Sequence, residues 1–247
     1  MSELEGVYRI WLRELIRYWR DKGRIVSSLV QPLLFLVIFG SGFGFVKIGN
    51  INYQSFLFPG IVAMSLITIS IASGISVIWD REFGFLKEIL VAPVSRISIF
   101  IGKALGGCTT ALIQGIIVLS LSFLIGVSIP MHSLLMAIPL MLIISLGIVS
   151  IGLIIASLIE TFENFGIIMN FLVFPLIFLS GAFFPLAEAP QWLKVVSYAN
   201  PVTYGVESLR QILIGVSFIP LSLSFTVISL FSVAAILIGG VTFNRQK

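Results

Sequence analysis

Residues 104–159 hold no Asp, Glu, Lys or Arg, and this run constrains the chain more than any other. A soluble fold needs polar faces to meet water, and so long an uncharged stretch supplies too few of them. Crossing about 30 Å of hydrocarbon takes about 20 apolar helical residues, so the run is long enough for two spans. The turn between them is expected at Ser128, Ile129, Pro130, Met131, His132 and Ser133. The whole chain agrees: 58% of it is hydrophobic and 11% charged, with a mean hydropathy of +1.12. That balance describes an all-α integral membrane protein, a single transmembrane domain over residues 1–247.

Six transmembrane helices are expected, over 25–46, 55–78, 102–129, 134–158, 166–184 and 221–243. The first 24 residues are amphipathic and charged, with no compact apolar core ahead of a cleavage site, so the first span is expected to serve as the insertion signal. With the N-terminus inside, the cytoplasmic segments carry twelve Lys and Arg, six in 1–24, four in 79–103 and two in 244–247; the outer segments carry Lys47, Lys194 and Arg210. Twelve against three puts both termini of this multi-pass protein in the cytoplasm, in the inner or plasma membrane. The net charge of +4 therefore follows topology, and no nucleic-acid partner is expected.

Two cytoplasmic segments are amphipathic. In residues 4–19, Leu4, Tyr8, Trp11, Leu12, Leu15 and Trp19 share one helical face, and Arg9, Arg13, Arg17 and Arg20 share another with Arg24. This reads as an interfacial helix with its arginines toward water and anionic headgroups, which also leaves room for a partner's docking face. Between the second and third spans, residues 80–90 read as a short helix. Phe83, Leu86 and Leu90 lie on one side of it, with Asp80, Arg81, Gly84, Lys87 and Glu88 on the other, and Pro93 ends it. Residues 185–220 differ again: Pro185, Pro190, Pro201 and Pro220 interrupt them, with Trp192, Tyr204, Glu207 and Arg210 scattered between. Short helices at 191–198 and 203–214, the second opening after Asn200-Pro201, suggest a half-inserted outer hairpin, a re-entrant element before the last span.

Enzyme chemistry finds no purchase. His132 is the one histidine and Cys108 the one cysteine, so neither a Ser-His-Asp arrangement nor a metal cluster of those residues can be assembled, and no metal ligand or cofactor is assigned to this chain. The six spans carry no mid-membrane carboxylate for proton or sodium coupling. Gly102-Lys103 lacks the preceding glycine and following Ser or Thr of a phosphate-binding loop, so nucleotide energy would have to come from another chain.

Asp80-Arg81-Glu82-Phe83-Gly84-Phe85-Leu86-Lys87-Glu88-Ile89-Leu90-Val91-Ala92-Pro93-Val94-Ser95-Arg96, followed by Gly102-Lys103, resembles the cytoplasmic signature of ABC-2 type transporter permeases, most closely the drug-resistance and nodulation-type exporters. Asn200-Pro201-Val202-Thr203-Tyr204 with Glu207-Ser208-Leu209-Arg210 is similar to that family's segment before the last span. The resemblance implies two membrane subunits, a homodimer or a pair of homologous permeases, joined to two ABC ATP-binding subunits that carry ATP and magnesium. It implies a coupling helix at 80–90 that contacts the ATPase through Asp80, Arg81, Glu82, Phe83, Phe85, Leu86, Lys87 and Glu88. It further implies an ATPase contact for the N-terminal helix, through Arg9, Trp11, Arg13, Arg17, Trp19 and Arg20, and an extracellular gate at 185–220 with Pro185, Trp192, Asn200, Pro201, Tyr204, Glu207 and Arg210. The implied function is ATP-driven export of an amphipathic or lipid-linked compound, a drug, lipid or polysaccharide. The alternative from the residues alone is an ATP-independent secondary carrier or channel.

Overall fold

The computed structural model describes residues 2–49, 51–83, 94–127, 129–159 and 161–245. Helix α1 (Glu3–Arg20) opens on Ser2, whose Oγ accepts the Glu5 amide at 3.2 Å. Acidic Glu3 and Glu5 in its first turn and basic Arg17 and Arg20 in its last complement the helix dipole. One residue later Asp21 caps α2 (Lys22–Gly42) by accepting the Arg24 amide at 3.0 Å. A two-residue ribbon, β1 (Lys47–Ile48) against β2 (Ile51–Asn52), turns the chain into α3 (Tyr53–Ala72).

The second expected span is split. Helix α3 ends at Ala72 and α4 (Ile75–Glu82) continues after Ser73 and Gly74. The reason is a close crossing, since a Cβ on Gly74 would lie 2.3 Å from the backbone oxygen of Gly152. Only a glycine permits that approach, and lipid-embedded helices depend on such close packing because burial from lipid gains little. Helix α5 (Arg96–Ser120) starts six residues earlier than the expected 102, because Ser95 caps it by accepting the Ser98 amide at 3.1 Å. A short α6 (Ser122–Ile125) ends at Gly126 with φ +75°, and α7 (Met131–Leu158) follows.

Helix α8 (Phe162–Phe178) is shorter than the expected 166–184 and begins earlier, with Thr161 as its cap. Beyond it come a 3₁₀ turn at Leu186–Glu188, α9 (Gln191–Ala199), α10 (Pro201–Ile214) and α11 (Leu221–Arg245). Five helices among the described residues are long and apolar enough to cross a membrane, with α3 and α4 counted as one, and α8 is a shorter apolar helix. At the centre, α3 is buried on all sides, with Phe56, Phe58, Ile61, Val62 and Leu66 fully enclosed. By contrast α2 and α11 expose most of their apolar surface, as lipid-facing helices do.

The N-terminal helix departs most from expectation. It runs alongside α5 in the same direction: Glu3 meets Ser95 and Ser98, Ile10 faces Gly102, Glu14 faces Gly106, Trp11 meets Thr109 and Tyr18 meets Gln114. Glycines make the seam, since a Cβ on Gly102 would come within 2.8 Å of Ile10 and one on Gly106 within 2.6 Å of Glu14. The apolar stripe of Leu4, Tyr8, Leu12, Ile16 and Trp19 stays outward.

Candidate functional site

Five charged side chains from three helices meet where α1, α4 and α5 converge. Asp80 on α4 and Lys103 on α5 are fully buried and 2.5 Å apart. Lys103 Nζ also donates to Glu14 at 3.3 Å and to the Ser76 hydroxyl at 3.2 Å. From α1, Arg13 donates to the second oxygen of Asp80 at 2.5 Å and to Glu14 at 3.1 Å, while Arg17 donates to its first oxygen at 3.2 Å. A buried lysine demands a counter-charge, and the two arginines turn inward because one lysine cannot neutralise two carboxylates. Burial alone would raise the Glu14 carboxyl. Lys103, then Arg13 and Arg17, outweigh burial and hold it below its ordinary range. At Arg13 burial works against the charge, and Asp80 with Glu14 more than offsets it.

Two sets of expected residues take positions that periodicity does not display. Arg13 and Arg17 are drawn into ion pairs with Asp80 and Glu14 while keeping 35% and 37% of their side-chain surface exposed; Arg9, paired with Glu5 at 2.8 Å, and Arg20 are exposed. Asp80 is fully buried, its carboxylate bonded to Arg13, Arg17 and Lys103 within the chain. Arg81 is likewise engaged, donating to the carbonyls of Ile159 at 2.8 Å and Ser157 at 3.1 Å at the end of α7. Glu82 and Phe83 point outward, with Phe83 stacked on Trp79 at 4.8 Å between ring centres. Phe85, Leu86, Lys87 and Glu88 lie outside the described residues, as does most of the 80–90 segment. Trp11 faces inward and donates to Thr109 at 3.0 Å, whereas Trp19 is exposed.

A second node lies in the 185–220 segment. Glu207 and Arg210, three residues apart on α10, are both fully buried and paired. Arg210 also donates to the Gly181 carbonyl at 2.8 Å and lies 4.1 Å from the centre of the Phe56 ring, while Glu207 accepts the Phe218 amide at 2.6 Å. Three neighbours thus converge on one pair: the turn after α8, the loop after α10 and the central α3. Asn200 caps α10 by accepting the Val202 amide at 3.0 Å and donates to the Leu176 carbonyl at 2.7 Å. Pro201 is the first residue of α10, Pro185 precedes the 3₁₀ turn, and Trp192 is exposed. Tyr204 donates to the Tyr198 carbonyl at 2.8 Å, tying α10 to α9.

Sequence reasoning does not single out Glu14, Lys103 as a charge partner, Phe56 or Gly181. The signal for Lys103 is its place at the very start of the uncharged run, where a cation needs a counter-ion. Among the described residues no group of three or more His, Cys, Asp or Glu could hold a metal ion. Both nodes are mechanical fixtures that join helices. Between α2, α3 and α8, Gln31, Thr68 and Asn170 share a cleft of about 110 Å³ with Met64, Met169, Phe174 and other apolar side chains.

A family model described as ABC-2 type transporter matches residues 5–214. The inner membrane transport permease YadH of Escherichia coli strain K12 is 32% identical over 238 residues, covering 93% of this chain and 91% of YadH. A protein named "Putative transport permease ycf38", from Cyanophora paradoxa, is 33% identical over 213 residues, 84% of this chain and 73% of its own. A protein named "Probable multidrug ABC transporter permease YbhR", also from Escherichia coli strain K12, is 34% identical over 165 residues, 66% of this chain and 45% of YbhR.

Proposed function

Because the chain belongs to the ABC-2 type transporter family, and so is a membrane permease subunit of an ABC transporter, we propose that it exports an amphipathic or lipid-linked compound from the cytoplasm by alternating access. It works with a separate ATP-binding subunit, which carries ATP and magnesium, and with a second copy of itself. Both termini are cytoplasmic, α8 makes the fifth of six crossings, and the 185–220 hairpin forms the outer gate.

The observation that carries this reading is the five-charge node. Asp80, the first residue of the 80–90 segment and near the end of α4, is bonded to both α1 and α5. A push on the segment therefore moves three helices as one body, the behaviour of a coupling element. The cleft at Gln31, Thr68 and Asn170 supports an amphipathic substrate, since its walls are apolar and its three polar groups can orient a headgroup. The multidrug wording of YbhR's name fits the same class.

The test is the complex reconstituted with its ATP-binding subunit. Glu88→Arg is expected to leave membrane insertion intact and abolish substrate-stimulated ATP hydrolysis. Stimulation equal to wild type would refute coupling through this segment. Transport that follows an ion gradient without ATP would instead establish the secondary-carrier reading.

A further inference from the structure

We propose that the groove at the junction of α1 and α2 binds the phosphate of an anionic lipid. Arg13, Ile16, Arg17, Arg20 and Asp21 line it. It lies where α2 enters its uncharged stretch, residues 25–46, which sets the groove at headgroup height beside hydrocarbon. On the same helix Leu12, Ile16 and Trp19 are exposed, at 37%, 43% and 68%, giving acyl chains an apolar wall.

Charge complementarity names the occupant. Around the junction Arg13, Arg17, Arg20, Arg24 and Lys103 face Glu14, Asp21 and Asp80, five cations against three anions. The anions are already engaged: Asp80 and Glu14 within the node, and Asp21 as the cap of α2. Arg20 has no ion-pair partner among the described residues, and the Arg13 and Arg17 side chains, though paired, keep 35% and 37% of their surface exposed. Three partly exposed guanidinium groups lining one groove at a membrane surface match a phosphodiester, whose oxygens accept forked bonds.

The proposal rests on the reading of α1 as a helix at the membrane surface. It is tested on the full chain by native mass spectrometry during titration with short-chain phosphatidylglycerol or phosphatidylcholine. The wild type is expected to retain phosphatidylglycerol in preference, Arg20→Gln to weaken that retention about fivefold, and Arg9→Gln, an exposed arginine outside the groove, to leave it unchanged. Equal retention of both lipids, undiminished retention in Arg20→Gln, or an equal loss in Arg9→Gln would overturn the proposal. Full displacement by inorganic phosphate would assign the groove to the free ion and overturn it too. Quenching of Trp19 by brominated phosphatidylcholine, measured against Trp19→Phe, separates the two failures: no quenching overturns the membrane placement of α1, and quenching without lipid preference overturns the groove alone.

Discussion

Lys103 Nζ lies 2.5 Å from Asp80 Oδ2, and neither side chain has any solvent exposure. Removing Asp80 leaves Lys103 with Glu14 alone at 3.3 Å, and removing Lys103 leaves Asp80 to Arg13 and Arg17, so each change unbalances a buried network at a cost of up to about 3–5 kcal/mol. Asp80→Asn and Lys103→Met are each expected to lower the thermal unfolding temperature of the purified protein sharply. The double variant, which leaves the net charge of the node unchanged, should be no worse than the harsher single one. Losses that simply add would show that the two residues do not act as a pair.

The Glu207–Arg210 pair is expected to resist reversal. Glu207 accepts the Phe218 amide, while Arg210 donates to Gly181 and covers Phe56, so each end needs its own chemistry. Glu207→Arg combined with Arg210→Glu should therefore be as unstable as either single change, about 3–5 kcal/mol below wild type by thermal unfolding in detergent. Arg210→Lys keeps the charge but loses the planar fork, and should fall in between. Full rescue by the swap would mean that charge alone matters here.

Acid should release α1 from α5. The Glu3 carboxylate is held below its ordinary value of 4.5 by the Ser98 hydroxyl and then the Ser95 amide. Glu14 is also held below 4.5, with burial opposing and Lys103, Arg13 and Arg17 prevailing. A folded value below the unfolded one means the stabilisation is complete above about pH 4.5 and fades as pH falls through the lower folded values. Hydrogen exchange across residues 3–20, corrected for intrinsic rate, should show constant protection from neutral pH down to about 5 and a loss below that. Protection that fades already near neutrality would contradict it.

Glycines at crossings should be far less tolerant than glycines facing open space. A Cβ on Gly152 would meet the Ile71 backbone oxygen at 2.6 Å, an atom that cannot step aside, whereas one on Gly166 or Gly240 meets nothing within 4 Å. Gly152→Ala is expected to cost about 1–3 kcal/mol. Gly166→Ala, inside α8, should gain about 0.5–1 kcal/mol by thermal unfolding. Equal effects would place the α3–α7 crossing elsewhere.

The long apolar helices are legible in the sequence because a bilayer asks one simple thing of a span, about 20 apolar residues in helical form. The cap at Asn200, the pairing distance of Glu207 and Arg210 and the amphipathic character of residues 4–19 are legible for a similar reason, since each is a local pattern. What a sequence cannot display is which way a two-faced helix turns. The arginine face of α1 looks solvent-bound by periodicity alone. Asp80, 67 positions beyond Arg13 and 63 beyond Arg17, draws both into ion pairs. The break at Ser73-Gly74 is hidden for the same reason, because its cause is Gly152 on a different helix.

The parallel seating of α1 on α5 also sets an order of events during synthesis. Glu3 and its partner Ser95 are separated by 92 positions, so at about 5–20 residues per second the ribosome leaves α1 without its groove for roughly 5–20 s. On the proposed placement of α1 at the membrane surface, the stripe of Leu4, Tyr8, Leu12, Ile16 and Trp19, still outward in the finished fold, is what holds it there through that wait. On that placement the first helix is a lodger on the lipid before it is a part of the machine.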